Sequence, residues 1–144
     1  MLIRSAAIGD VPALVELFEA WGHEQDATGI ETQLALWQGT ENAAVLVAEI
    51  DGSAAAAIAV ATLPHLGRPG RLGRVMGLVV GDRCRRNGVG AALIAAAEEL
   101  ARAWHCDALE LTSSRYRPEA PAFYAALGFE DQSGRQARYV RPIR

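Results

Sequence analysis

The sequence contains no lysine, and all 14 of its basic side chains are arginines. That excludes a nucleotide-binding loop of the kind that needs a lysine on the phosphates, and any Schiff-base chemistry. Cysteine is scarce. Cys84 and Cys106 stand 22 positions apart, without a Cys-x-x-Cys pair or histidine-rich company, so neither a disulfide framework nor a zinc site is indicated and no metal is expected. No apolar run approaches the ~20 residues needed to cross a bilayer. The opening Met1-Leu2-Ile3-Arg4 lacks the basic and apolar regions of a signal peptide, so a cytoplasmic protein that works away from membranes is expected.

What is present is a globular balance, 51% apolar and 22% charged over 144 residues, which suits a single domain over residues 1–144. The net charge of −3 hides an asymmetry: residues 1–64 hold Arg4 against nine acids, and residues 65–144 hold thirteen arginines against eight acids. A basic second half suits a polyanionic ligand and an acidic first half a cationic one, although solvated faces of a folded domain carry the same pattern.

Leu2 to Ala6 reads as a short strand, after which Asp10 can cap a helix with Pro12 in its first turn and Leu14, Leu17, Phe18 and Trp21 on one stripe. Thr28 and Glu31 match a capping box for a second helix, whose buried face is Ile30, Leu34 and Trp37. The polar stretch Gly22-His23-Glu24-Gln25-Asp26 joins them. Ala43 to Ile50 and Ala54 to Leu63 flank Asp51-Gly52, a hairpin signal. A Gly, Pro and Arg-rich link then leads to a strand ending Gly77-Leu78-Val79-Val80-Gly81, whose glycines suggest a bulge or a close approach to the backbone. A helix from about Gly88 to Trp104 shows Val89, Leu93, Ala96, Leu100 and Trp104 on one face, and a strand follows from near Ala108. Strand, helix, strand over about 40 residues makes the two strands parallel neighbours. A short helix, Ala120 to Leu127, stops at Gly128, and a last strand is expected around Ala137 to Val140, whose exposed edge near Tyr139 offers a surface for a homodimer. The fold class is α+β, antiparallel in its first half and βαβ in its second.

The chemistry concentrates at Arg85-Arg86-Asn87-Gly88-Val89-Gly90. A helix start carries unpartnered amides and a positive dipole end, and Gly88 and Gly90 let a diphosphate sit on those amides while Arg83, Arg85 and Arg86 add charge-assisted contacts. A strand ending Leu78-Val79-Val80, then Arg85-x-x-Gly88-x-Gly90, then Phe123-Tyr124-Ala125-Ala126-Leu127-Gly128-Phe129 resembles the GNAT superfamily of N-acetyltransferases over essentially the whole chain. The resemblance implies a central, twisted, mostly antiparallel sheet with one splayed parallel strand pair, flanked by helices. It also implies acetyl-CoA as co-substrate. The pantetheine arm would pair with the backbone at Leu78, Val79 and Val80, and Arg85, Arg86, Asn87, Gly88, Val89, Gly90 and Ala91 would wrap the pyrophosphate. Tyr124 would be the general acid to the departing thiolate.

Two departures from the family pattern stand out. The strand Arg74 to Val80 carries no glutamate to serve as base, which leaves His23, Glu24, Asp26 and His65, ordered water or a weakly basic acceptor. Arg117 stands where relatives often have asparagine; within the polar stretch Ser113-Ser114-Arg115-Tyr116-Arg117 it can contact the CoA arm or face solvent. Cys84 lies beside the turn, but family chemistry is direct transfer. The acceptor expected is a small-molecule amine, and the acidic first half around His23, Glu24 and Asp26 suits a cationic one. A protein or peptide N-terminus and a non-catalytic acyl-CoA sensor are the alternatives; nucleic-acid binding explains the arginines less economically than CoA.

Overall fold

The computed structural model describes residues 1–113 and 117–143. It comprises two compact units, Met1–Thr112 and Ser113–Arg144. The first contains β1 (Leu2–Ser5), α1 (Val11–Trp21), α2 (Ala27–Gln38), β2 (Ala43–Ile50), β3 (Ser53–Pro64), β4 (Arg71–Val80), α3 (Val89–Ala103) and β5 (Cys106–Leu111). Its five-stranded sheet runs β1-β2-β3-β4-β5. Each pair is antiparallel except β4 and β5, which a helical crossover makes parallel, as expected.

Local chemistry explains most element ends. Ile50 pairs with Ser53 across Asp51-Gly52, and both turn residues have positive φ, 52° and 81°, the geometry that matches the twist of a tight hairpin. Pro12 lies in the first turn of α1, and Gly22 ends that helix at φ 93°. Asp10 differs from expectation. Its side chain makes no cap bond to α1; the buried carboxylate accepts from both terminal nitrogens of Arg4 at 2.8 Å and from the Ala7 N–H at 2.8 Å. Arg4 also reaches Glu49 on β2, so one guanidinium ties the first strand, the entry to α1 and the second strand together. The Arg4 hydrogen bond, with the Ala7 N–H, holds the Asp10 carboxyl below its ordinary range despite burial. The cap of α2 also shifts. Asp26, in extended backbone, accepts from the Gly29 N–H at 2.7 Å, so the helix begins at Ala27 and the expected capping residue Thr28 lies inside it.

The core is built in rows across the sheet. Val47, Ala57 and Val79 are register partners on β2, β3 and β4, and they pack with Leu14 and Leu17 of α1 and Ile30 and Leu34 of α2. The adjacent row, Leu46, Ile58 and Leu78, points to the other face by alternation, and α3 packs against the sheet through Leu93, Ile94, Ala97 and Ala101. The buried stripe of α3 is therefore rotated from the expected one. Ala97 and Ala101 let the helix approach the strands closely, which leaves Ala96, Leu100 and Trp104 half-buried.

The second unit contains α4 (Ala120–Ala126), with Gly128 at φ 89° just beyond it. The strand expected at Ala137 to Val140 is not formed. A β pattern becomes a strand only with a ladder partner, and among the described residues this segment has none; Tyr139 and Val140 stand exposed. The dimer edge expected near Tyr139 therefore has no strand to form it among the described residues.

Candidate active site

The β4–β5 pairing runs from Arg71 beside Cys106 to Val75 beside Leu111 and stops. β4 continues to Val80, and Leu78, Val79 and Val80 pair with Ile58, Ala57 and Ala56 of β3. Their opposite edge has no strand partner among the described residues. The parting coincides with a bulge: Val75 and Gly77 pair with the consecutive residues Val60 and Ala59, so Met76 is an extra residue that bends the strand. The glycines around Leu78 thus mark both features anticipated for them. At Gly81, where β4 turns away, a Cβ would lie 2.9 Å from the Ala55 carbonyl oxygen.

From Gly81 the chain makes a short 3-10 turn over Asp82–Cys84, pinned by the buried Cys84. Arg83, Arg85, Arg86 and Asn87 are exposed. Arg85 is held by Asp82, with Nε 3.2 Å from the carboxylate. Arg86 and Gly88 both take left-handed backbone, φ 67° and 75°, which aims the chain into α3. Gly88 is the N-cap and offers no side chain to the first amides of the helix; Val89 and Gly90 are buried and Ala91 half-buried behind them. The result is a 15-residue helix whose N-terminal amides and positive dipole end face a surface carrying three arginines.

On the α1 and α2 side of the sheet, the row next to the core row consists of Val45, Ala59 and Gly77. Two small side chains in that row leave a cavity of about 220 Å³. Phe18, Trp21 and Trp37 wall it, and His23, Gln25 and Gln33 supply its polar side-chain groups. Gly77 and Val79 belong both to its lining and to the stretch of β4 that β5 leaves unpaired. The ring of His23 stacks obliquely on Trp21, centroids 4.7 Å apart. None of the nine acids of residues 1–64 lines the cavity. Asp26 is occupied as a helix cap and Glu24 is exposed. His65 is bound to Asp107, 3.0 Å away, in the link before β4 and the start of β5. The hydrogen bond with the His65 ring holds the Asp107 carboxyl below its ordinary value. Of the four candidate bases, only His23 meets the cavity.

In the second unit, Tyr124 packs edge-on against Phe123 and Phe129, with centroids at 5.1 and 5.7 Å. Burial pushes its phenol above the ordinary value, and the positive charge of Arg117 pulls the other way. Arg117 is half-buried. Ser114, Arg115 and Tyr116, part of the basic stretch singled out in the sequence, lie outside the described residues. Sequence reasoning did not find the cavity. Trp21 and Trp37 were read as core, and its signal was spread over Ala59, Gly77, Gln25 and Gln33 on four separate elements and loops.

No curated protein sequence gives a significant match. Among solved structures, a transcriptional regulator from Bacillus halodurans superposes with a TM-score of 0.86 at 21% identity, covering 97% of this chain and 98% of that one. An aminoglycoside 6′-N-acetyltransferase from Acinetobacter haemolyticus gives 0.81 at 20%, covering all of both chains. Glucosamine-6-phosphate N-acetyltransferase from Arabidopsis thaliana gives 0.82 at 20%, covering 97% and 98%. These likenesses establish the fold. The model of the acetyltransferase (GNAT) family matches residues 11–129, and the chain belongs to that family.

Proposed function

We propose that this chain transfers the acetyl group of acetyl-CoA to the amine of a small molecule, in the cytoplasm. The observation that carries the reading is the continuity of the donor and acceptor sides: Gly77 and Val79 border the cavity on the strand whose unpaired edge leads to the bare N-terminus of α3. The residues fit the co-substrate. The unpaired edge at Leu78, Val79 and Val80 accepts a pantetheine arm as a borrowed strand. Residues Arg85 to Ala91 hold the pyrophosphate on helix amides, and Arg85 and Arg86 add charge. Arg117 is assigned to the CoA arm on the family pattern. The unpaired thiols, buried Cys84 and half-buried Cys106, suit a reducing compartment.

Bound there, acetyl-CoA supplies an activated acyl carbon. The neutral amine attacks it, a C–N bond forms, the C–S bond breaks, and an N–H of the β4 edge near Val79 stabilises the charge that develops on the carbonyl oxygen. His23 takes the ammonium proton that must leave before the amine can attack, and the proton the nitrogen sheds on becoming an amide passes to water. On the family pattern Tyr124 is assigned as the general acid that protonates the departing thiolate, whose thiol has a reference value of ~8.5. A phenol with a reference value of ~10 is protonated at neutral pH; burial raises the Tyr124 value further, and the charge of Arg117 opposes that rise.

Calorimetric titration with acetyl-CoA, followed by CoA-thiol release across a panel of amines, tests the proposal. Saturable binding and amine-dependent release are expected. Absence of heat at ~1 mM ligand, a binding free energy weaker than about 4 kcal/mol, would sink it; binding without amine-dependent release would make the chain an acyl-CoA sensor.

A further inference from the structure

The cavity beneath α1 and α2 has a composition that selects among amines. Its floor is Val45, Ala59 and Gly77, its walls join Phe18, Trp21 and Trp37 to aliphatic side chains, and its polar lining is amide and imidazole without a carboxylate or a guanidinium. A polyamine or an aminoglycoside carries several charges, each of which would need an anionic or well-hydrated partner once inside. The chain has nine acids in this half and directs none of them here. The volume of about 220 Å³ is larger than the ~150 Å³ cavity that holds one benzene ring in another protein, so it fits a single ring with a short alkyl arm. Gly77 lies under Trp21, since a Cβ there would meet that ring at 3.6 Å, so the open part of the floor is at Ala59.

We infer that the acceptor is a primary amine joined by a short alkyl arm to a single aromatic ring, the ring seated over Ala59 against Trp21 and Trp37 and the amine directed along β4 toward Val79. This rests on the acetyl-transfer reading above. Stacking of the ring on aromatic walls and its removal from water supply the affinity. The amine keeps its place at the end of the cavity where His23 and the β4 edge meet the thioester. Burial of such a ring raises affinity on the order of thirtyfold over the same amine without it.

The test compares 2-phenylethylamine with methylamine, spermidine, kanamycin and an alanine-led peptide, following CoA-thiol release at saturating acetyl-CoA. The kcat/KM for 2-phenylethylamine should exceed each of the others at least tenfold. Ala59→Leu, which fills the cavity from the floor, should raise its KM at least tenfold while the Kd for acetyl-CoA and the melting temperature hold. Should Ala59→Leu not fold, calorimetry of 2-phenylethylamine against methylamine on the unaltered protein with CoA bound provides the same comparison, and tighter binding of the ring is the expected result. Faster transfer to spermidine, kanamycin or the peptide overturns the inference and leaves acetyl transfer standing. A preference for butyryl-CoA over acetyl-CoA that Ala59→Leu abolishes would assign the cavity to the acyl chain and also overturn it. If no amine accelerates thiol release, the transferase reading fails, and the calorimetric comparison still decides whether the cavity takes the ring.

Discussion

The N-terminus of α3 and the cavity beneath α1 and α2 are built from opposite materials. The first is mostly backbone: amides left bare by Gly88, a left-handed turn, and a strand edge that β5 abandons after Val75. The second is almost wholly side chain, aromatic rings of two helices over the small residues Ala59 and Gly77. A site made of backbone survives sequence change so long as a few glycines persist, whereas a site made of side chains is rewritten by each substitution. That contrast matches the comparisons, in which proteins near 20% identity keep the fold while the acetyltransferases among them carry names with different acceptors.

The largest effect should come from the donor side. Tyr124→Phe removes the hydroxyl to which the proposed mechanism assigns the thiolate's proton, but preserves the ring that Phe123 and Phe129 hold edge-on. Turnover should fall about a hundredfold with the acetyl-CoA Kd unchanged, measured by steady-state kinetics beside calorimetry. A loss of affinity of similar size would make Tyr124 a packing residue instead. Arg85→Ala should act next most strongly. It should weaken acetyl-CoA roughly tenfold, the worth of one charge-assisted contact, and leave acetyl-pantetheine binding unaltered because that analogue has no pyrophosphate. Arg85 already pairs with Asp82, so part of its contribution is offset by breaking that contact. Equal losses for the two ligands would remove the pyrophosphate from this turn.

The same contrast explains what could be read from the sequence. Gly88 and Gly90 after Arg85, the Asp51-Gly52 hairpin and the βαβ spacing are local patterns, and each stands where it was expected. Asp10 and Asp26 were harder, because the choice of cap depends on competition: Arg4 and the Ala7 N–H claim Asp10, and Asp26 captures the Gly29 N–H ahead of Thr28. The strand expected at Ala137 to Val140 depended on a pairing partner that no local pattern specifies. The cavity was least legible. Ala59 and Gly77 become neighbours only through the β3–β4 register, and that register includes a bulge at Met76.

His23→Gln is the smallest of the expected effects and the most informative about the acceptor side. Imidazole is the side chain best suited to take a proton near neutral pH, and His23 combines a place on the cavity wall with a ring contact to Trp21. The amine is mostly protonated at pH 7, so a base helps only while a proton must be removed. The variant should lose several-fold in kcat/KM at neutral pH, and the deficit should close as the pH rises toward ~10, where an alkylamine deprotonates unaided. A steric role would behave differently. Were His23 only a support for the Trp21 ring, the glutamine variant would raise KM by one factor at every pH, and His23→Asn would do the same. A pH-independent loss would therefore leave the cavity as a binding site and return the proton to solvent; a loss confined to neutral pH makes His23 the base on the acceptor side.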